Sequence, residues 1–451
     1  MAEFWSAERS RRIVKRLVVT CDLVLQTPAH FGNGDSDELT DMPLLVDPAD
    51  GRSPLLTGAS QAGSLRAYLK AREGGQSVHE VLLFGGAKED DQGEQSPLII
   101  DDSRGSFVGM EKRHGVKINA QSRTAEHDAL YDLHLWEVGT RFPLHMELII
   151  REGKNESGLK IALATALEGL SDGSIRLGMR KRRGFGKVSI ESLSVQEYEL
   201  SSPNWLMAWL KGEAGAPITL GASLPDQRNL WILSADFAVD GSLLIRAGEG
   251  QDDTGPDMVH LHSKRNSAPK PILSGTSLTG ALRARAYKII NTLKGKQSAE
   301  SVVDSLFGQM KNKTKLASRL TVDECEITGA VVTNLVQNRV SIDRFTGGAR
   351  DSALFSQQPA WGGEVRITIR LINPEEHEKG LLLLLLKDLW TGDLPLGGES
   401  SVGRGRLKGI RAEINGQTVM TAVGDRLQFS DDRQKITLEK HVTALKDWTL
   451  S

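Results

Sequence analysis

The sequence lacks the features of three protein classes: a membrane-spanning segment, a set of paired cysteines and a secretion signal. No apolar run approaches the roughly 20 residues of a membrane-spanning helix, and the longest, Leu381–Leu386, is followed by a lysine and an aspartate. The 451 residues contain two cysteines, Cys21 and Cys325, which excludes a disulfide framework and a zinc cluster built on cysteine. Met1–Leu17 is charged and has no apolar signal core. We therefore expect a protein of the reducing cytoplasm.

The chain also lacks a large net charge of either sign. It has 56 lysines and arginines against 58 aspartates and glutamates, a net charge of −2. A chain without a global basic field can bind nucleic acid only at a local site. The candidate basic cluster is Arg176, Arg180, Lys181, Arg182, Arg183 and Lys187.

One motif occurs twice. Pro271–Arg283 reads P-I-L-S-G-T-S-L-T-G-A-L-R, and Pro54–Arg66 reads P-L-L-T-G-A-S-Q-A-G-S-L-R. The pattern predicts a strand end, a turn and a helix with one buried face, with Ser277 as the N-cap. A glycine-rich helix start exposes unpaired N–H groups, which suit a phosphate. The predicted phosphate-binding residues are Gly58, Ser60 and Arg66 in the first copy and Gly275, Ser277 and Arg283 in the second.

Other landmarks repeat at spacings between 216 and 224 positions. Asp41-Met42 recurs as Asp257-Met258 (257 − 41 = 216), and Val116–Tyr131 recurs as Val340–Phe355 (340 − 116 = 224). The regular spacing indicates a tandem duplication of a unit of roughly 200 residues.

Each copy reads as strand, helix, strands, helix, glycine-rich loop and strand. This order predicts an α+β protein of two tandem ferredoxin-like or RRM-like domains, each with an inserted protruding loop. We expect the first domain over residues 1–212, a linker over 213–229 and the second domain over 230–451. Such sheets commonly bind single-stranded RNA, although a fold alone does not establish a function.

Five motifs resemble those of one family. They are T-P-x-H-x-G from Thr27, G-x-S-x-x-G-x-L-R in both turns, N-R-V-S-I-D-R-F-T-G-G-A at Asn338–Ala349, A-L-F at Ala353–Phe355, and L-G-G-x-x-x-x-G-R-G-R at Leu396–Arg406. Together they resemble the RAMP superfamily of CRISPR systems, particularly the backbone subunits of type III effector complexes. The fused pair resembles the double-backbone subunit of type III-D complexes.

The resemblance implies partners and chemistry. Members line up along a guide RNA, and a protruding loop from each wedges into the guide–target duplex. The implied partners are CRISPR guide RNA, complementary single-stranded target RNA and other type III effector subunits. An aspartate after the first strand is associated with magnesium-dependent cutting of target RNA, and it corresponds to Asp41 and Asp257. One carboxylate is a poor cage, so magnesium or manganese would need RNA phosphates as further ligands.

Several RNA-binding residues are expected in the loops. In the glycine-rich loops they are Arg180, Arg182, Arg183, Lys187, Arg404 and Arg406, whose arginines would neutralise phosphates. In the protruding loops Ile118, Ile342 and Phe345 are candidates for wedging against bases. The candidates for backbone contact there are Lys117, Arg123, Arg339, Arg344 and Arg350.

Simpler interpretations stay open for these residues. Asp41 and Asp257 could be turn or cap residues, the basic loops solvated turns, and Ile118 and Ile342 ordinary strand residues. His260 and His262 alternate near Asp257, and we expect solvent-facing strand histidines there rather than a metal site. Asp47 and His30 are weaker catalytic candidates.

Two other functions compete with target cleavage. One is a structural RNA-binding backbone subunit without catalysis. The other is a guide-RNA-processing endonuclease of the same superfamily, which typically uses a histidine base. His30 is the only suitably placed histidine, and Arg246 stands in its place in the second copy.

Overall fold

The computed structural model describes residues 12–32, 42–86, 94–119, 125–247, 255–265, 268–311, 314–331, 335–424 and 426–450. The chain forms two compact units. The first unit is Met1–Lys112, Leu133–Lys181 and Phe185–Arg228, and the second is Arg113–Asp132, Arg182–Gly184 and Asn229–Ser451. Two segments of the first sequence copy are therefore part of the second unit, which the duplication pattern did not predict.

The first copy contains nine strands and four helices among its described residues. The strands are β1 Ile13–Leu25, β2 Leu55–Leu56, β3 Leu98–Ile100, β4 Ser103–Arg104, β5 Met110–Ile118, β6 Ala125–Trp136, β7 Arg141–Arg151, β8 Val188–Glu199 and β9 Ala216–Pro217. The helices are α1 Gly58–Arg72, α2 Val78–Phe84, α3 Glu156–Ser171 and α4 Pro203–Lys211.

The main sheet of the first unit has the order β3-β7-β1-β8-β9. Its central strand β1 pairs antiparallel with both β7 and β8. Alternate β1 side chains are buried, among them Leu17, Val19 and Leu23, as a half-buried strand requires. The apolar face of α3, including Leu159 and Leu163, belongs to the same core.

The second copy contains sixteen strands and four helices among its described residues. The strands are β10 Leu230–Asp240, β11 Ser242–Leu243, β12 Met258–Val259, β13 His262–Arg265, β14 Ala268–Leu273, β15 Gln309–Lys311, β16 Thr314–Leu316, β17 Leu320–Val322, β18 Cys325–Glu326, β19 Gln337–Ile342, β20 Ala349–Gln358, β21 Ala360–Trp361, β22 Glu364–Ile372, β23 Arg406–Ile414, β24 Gln417–Val423 and β25 Arg426–Phe429. The helices are α5 Gly275–Lys294, α6 Lys296–Phe307, α7 Glu376–Trp390 and α8 Asp432–Asp447.

The second unit repeats the plan of the first. Its main sheet has the order β17-β22-β10-β23-β24-β25, and β10 pairs antiparallel with β22 and β23 as β1 does with β7 and β8. The apolar run Leu381–Leu386 lies in α7, which packs against α8 and β23. The predicted α+β class with tandem ferredoxin-like domains is confirmed.

Three smaller findings bear on the sequence predictions. In the segment predicted as a linker, Leu224 N–H donates to Thr165 Oγ1 and Gln227 N–H donates to Arg72 O, so this stretch packs within the first unit. Both cysteines are buried free thiols, and burial raises the pKa of each to about 12. Across the described ranges, no helix combines the length and apolarity needed to cross a bilayer.

A buried ion cluster holds the β5 strand within the second unit. Glu324 has a side chain that is 0% exposed, and Arg113 contacts both of its carboxylate oxygens. Arg265 Nη2 lies 2.5 Å from Glu324 Oε1. Burial alone would raise the pKa of Glu324, but the two arginines bring this pKa below its usual range. The cluster therefore ties β5, through Arg113, to a carboxylate of the second copy.

Candidate nucleic-acid interface

The two repeated turns start helices, but their N-caps differ from the prediction. Helix α1 is capped by Thr57 and α5 by Ser274. Ser60 N–H donates to Thr57 Oγ1 (3.3 Å), and Ser277 N–H donates to Ser274 Oγ (3.1 Å). A cap residue accepts from the N–H two or three positions later. Ser277 was therefore wrongly predicted as the cap, which lies three residues earlier.

The protein's own chain fills the start of each repeated helix. Gly58 N–H donates to Asp102 Oδ1 at 2.7 Å, and a β-carbon on Gly58 would lie 2.2 Å from Ile100 O. A β-carbon on Gly275 would lie 2.3 Å from Arg183 O. The glycines permit these close approaches. At the first turn Asp102 thus takes one N–H that was expected to bind phosphate, and phosphate contact at both turns stays a prediction.

Arg66 and Arg283 have equivalent contacts within the protein. Arg66 donates to Glu80 and to Gly85 O at the end of α2, and Arg283 donates to Asp304 and to Gly308 O at the end of α6. A cation at a helix C-terminus is favourable. These bonds give both arginines a structural role, while RNA contact by them stays a prediction.

The protruding loop of the second copy is the β19–β20 hairpin. Its strands pair antiparallel, with Gln337 opposite Gln357, Arg339 opposite Phe355 and Val340 opposite Leu354. Residues that face each other across strands lie on the same side of the ladder, and this side alternates along each strand. The hairpin thus has one face that includes Arg339 and Gln357 and an opposite face that includes Val340 and Leu354.

The tip of this hairpin is ordered around Asp343. Its Oδ1 accepts the N–H groups of Thr346 and Phe345, both at 2.9 Å, and these bonds lower the pKa of Asp343. Phe345 is 98% exposed and Ile342 is 62% exposed. Apolar side chains exposed to solvent at a hydrogen-bonded tip suit stacking on or between bases.

The remaining hairpin candidates fall into two groups. Arg344 and Arg350 are exposed on the second hairpin, and Ile118 is 53% exposed on the first. The structure does not describe the side chain of Lys117 or the residue Arg123. Asp41, the catalytic candidate of the first copy, also lies outside the described residues.

Asp257 is fixed to the base of the second hairpin. Ser356, near the end of β20, donates its N–H (2.7 Å) and its hydroxyl (3.1 Å) to Asp257 Oδ2. Asp257 N–H donates in return to Ser356 Oγ at 3.0 Å. The carboxylate remains exposed. An exposed carboxylate is thus hydrogen-bonded to the same strand that leads to the hairpin tip.

The glycine-rich loop of the second copy contains a buried arginine. Arg404 was predicted to contact RNA, but its side chain is 3% exposed. Its Nε lies 2.8 Å from Glu399 Oε2, and its guanidinium donates to Ser242 Oγ (3.2 Å) and Gln337 Oε1 (2.6 Å). Burial lowers the pKa of Arg404. The Arg404 side chain is therefore enclosed by protein groups, a placement that does not favour the predicted contact with RNA.

The other loop residues are less buried. Arg406 and Arg183 are exposed, and Arg180, Arg182 and Lys187 are half-buried. Burial lowers the pKa of Arg182. The geometry leaves these as candidates for RNA contact.

The sequence model of the RAMP superfamily matches residues 22–189 and 239–408. The chain belongs to the RAMP superfamily. RAMP proteins are CRISPR-associated and bind CRISPR RNA and other Cas subunits. The two matched ranges coincide with the two sequence copies. No curated protein matches the chain.

The donor set of this RAMP chain does not by itself make a cation site. Among the residues that the structure describes, no three His, Cys, Asp or Glu side chains are placed to hold a metal ion. Asp257 contributes one carboxylate, whose Oδ2 already accepts two bonds from Ser356. Magnesium prefers several oxygen ligands in near-octahedral geometry. RNA phosphates would have to complete such a site.

The histidines of the second copy differ from the expectation. His260 is 0% exposed, not solvent-facing, and burial lowers its pKa to about 4. Ile245 N–H donates to Nδ1 at 3.2 Å, and Nε2 lies 3.0 Å from Ile272 O. A neutral ring with its proton on Nε2 donates to Ile272 O and accepts from Ile245 N–H, while Leu243 O also lies 3.0 Å from Nδ1. His262, half-buried, lies with Nδ1 2.6 Å from His260 O.

The two weaker catalytic candidates of the first copy are also engaged. His30 is 2% exposed, its Nδ1 lies 2.8 Å from His134 O, and burial lowers its pKa. Asp47 Oδ2 lies 3.1 Å from Arg104 Nε. A ring as buried as that of His30 is poorly placed to act as a base on RNA.

Proposed function

We propose that the chain is a guide-RNA-binding backbone subunit of a type III CRISPR ribonucleoprotein that cleaves guide-paired target RNA beside the second hairpin. One observation carries this proposal: the carboxylate of Asp257 is hydrogen-bonded to the base of a hairpin whose tip exposes Phe345. A wedge that splays the bases also bends the backbone next to it. A carboxylate on the same strand would then lie near a distorted phosphodiester.

Asp257 acts in this proposal by orienting the nucleophile. A carboxylate accepts a hydrogen bond from the attacking 2′-hydroxyl or water and stabilises the proton that this group loses. Asp41 is the corresponding residue of the first copy, and it gives the proposal its second potential site. Magnesium or manganese, held by an aspartate together with RNA phosphates, would add electrostatic stabilisation. The base sequence of the guide, not the protein, would select the target.

The fused arrangement supports the finer assignment. Two RAMP domains in one chain are expected of a double-backbone subunit of the type III-D kind. We propose other type III effector subunits as its neighbours along the guide RNA.

The proposal is tested by cleavage of a labelled, guide-complementary RNA in the reconstituted complex with magnesium. Wild type is compared with Asp41→Ala, Asp257→Ala and the double variant, and target binding is measured for each. Loss of a distinct product in each single variant, and of both products in the double variant, would support two sites. Identical fragments from all four proteins that bind target would overturn cleavage by this chain.

A purely structural backbone subunit is the second candidate function. It is favoured by the absence of a protein-made metal site among the described residues. The same experiment separates the two functions, because a structural subunit binds target and leaves the fragments unchanged. Processing of the guide precursor is less favoured, since His30 is 2% exposed.

A further inference from the structure

Three guanidinium groups converge on one carboxylate at the base of the second hairpin. Arg404 Nε and Arg339 Nη1 lie 2.8 Å and 3.2 Å from Glu399 Oε2, and Arg246 Nη2 lies 3.9 Å from Glu399 Oε1. Counted over these four side chains, three positive charges face one negative charge. The group therefore has a net positive charge that a further anion would compensate.

Burial divides the group into an inner and an outer part. The side chains of Arg404 and Glu399 are 3% and 12% exposed, while those of Arg339 and Arg246 are 30% and 53% exposed. The amide of Gln357 donates to Glu399, and its carbonyl accepts from Arg404 at 3.3 Å. The inner pair is thus fixed by protein, and the two outer arginines reach solvent.

The loop backbone is the same in both copies, so the side chains make the difference. Glu399 has a φ of 61° and Arg180, at the corresponding position of the first copy, has a φ of 55°. The left-handed conformation therefore belongs to the loop, not to the carboxylate. In the first copy Leu133 and Phe185 stand where Gln357 and Arg404 stand in the second, and they form a small apolar cluster.

We propose that Arg246 and Arg339, oriented by Glu399 and Arg404, bind one backbone phosphate of RNA at the base of the second hairpin. A guanidinium held by a buried carboxylate keeps further N–H donors in a planar fork that matches phosphate oxygens. RNA is the proposed source of the phosphate because Arg339 lies on β19, a strand of the hairpin whose tip exposes Phe345. The site rests on the proposed function and gives it a contact that the first copy does not share.

This site has a specific signature in the salt dependence of binding. Each phosphate neutralised on a single strand contributes a slope of roughly 0.7 to the fall of log affinity with log salt concentration. A surface arginine that does not contact RNA contributes far less. The slope therefore separates phosphate contact from a merely structural role.

The experiment measures binding of labelled guide RNA by the full chain over a series of salt concentrations. Arg246→Gln, Arg339→Gln and the double variant are compared with Arg433→Gln, which removes an exposed arginine of α8. We expect the double variant to bind more weakly and to reduce the slope by roughly 0.7, and the control to match wild type. Arg339→Lys keeps the charge but loses the fork, so we expect a wild-type slope with a severalfold lower affinity.

The outcomes separate this site from the proposed function. An unchanged slope in the double variant, with RNA binding intact in wild type, would overturn the phosphate site alone. Wild-type protein that does not bind guide RNA would overturn the proposed function and the site together. A urea unfolding curve for each variant shows whether a weaker binder is still folded.

Discussion

The two copies of the RAMP domain share a backbone plan and differ at the base of the protruding hairpin. In the first copy Leu133, Leu135 and Phe185 form an apolar cluster with Met42 packed against it. In the second copy the positions of Leu133 and Phe185 hold Gln357 and Arg404, which share a polar network with Glu399. The same fold therefore accommodates either apolar or charged side chains at this place. The charged set is the more demanding of the two, because removing one member leaves a buried charge without its partner.

The hairpins differ also in the pair next to the catalytic candidate. In the second copy Ser356 faces Asn338 across the ladder and donates to Asp257. In the first copy Asp132 stands at the position of Ser356, and its Oδ1 lies 2.5 Å from His114 Nδ1. An ionised carboxylate has no hydrogen to donate. Asp132 therefore lacks the hydroxyl bond that Ser356 makes to Asp257, and we expect the second copy to be the more active site.

The largest expected effect on stability comes from removing Arg404 from the buried ion pair of the second copy. Arg404→Phe, which introduces the first copy's residue, leaves Glu399 buried without its main partner. We expect the free energy of unfolding to fall by about 3–5 kcal/mol, measured by urea denaturation. Removing the buried ion pair together with its amide partner (Gln357→Leu, Glu399→Gln and Arg404→Phe) should cost less than the single change, because no buried charge is left unpaired. A triple variant less stable than the single one would contradict this comparison.

A smaller effect follows from His260, whose counterpart in the first copy is Leu44. Burial lowers the pKa of His260 from 6.5 to about 4, so protonation favours the unfolded chain. The stabilising contribution is complete above the unfolded pKa and is lost as the pH falls from about 6.5 toward 4. We expect wild type to lose roughly 2–3 kcal/mol from this group by pH 4. His260→Leu should flatten that part of the stability profile, and equal slopes in both proteins would contradict the assignment.

The smallest expected effect on stability concerns the helix N-caps, a feature that the two copies share. Thr57 and Ser274 cap equivalent helices, so Thr57→Ala and Ser274→Ala should each lower the free energy of unfolding by about 1 kcal/mol. Ser60→Ala and Ser277→Ala serve as comparison variants, because they remove only the hydroxyls that accept from the caps and leave the cap bonds to the backbone in place. A larger loss of unfolding free energy in Ser60→Ala and Ser277→Ala than in the cap variants would contradict Thr57 and Ser274 as the caps.

The sequence predicted the fold and the duplication because both depend on local periodicity and on spacing. The repeated turns do begin helices. The N-cap, however, is the last non-helical residue before the helix, and in α5 this is Ser274, three positions before Ser277. Arg404 could not be placed from its glycine-rich surroundings, because its burial depends on Ser242, Gln337 and Gln357 from other parts of the chain.

The residues that the sequence reasoning missed are joined by long-range contacts. Ser356, Glu399 and Gln357 carry no motif of their own, and Arg113 contacts Glu324, which lies far from it in the sequence. One signal was present for Arg246, which replaces His30 at the corresponding position. Comparing the two copies position by position would have singled out this replacement of a histidine by an arginine as a difference between them.

The most direct test of the account is the single-turnover rate of target cleavage by the complex when Ser356 is changed. Ser356→Ala removes the hydroxyl that donates to Asp257 and keeps the backbone donor, and Ser341→Ala removes a hydroxyl elsewhere on the same hairpin. We expect the product that depends on Asp257 to form about tenfold more slowly in Ser356→Ala, with target binding and the other product unchanged and Ser341→Ala equal to wild type. An unchanged rate in Ser356→Ala would contradict the claim that the hairpin positions the carboxylate for cleavage.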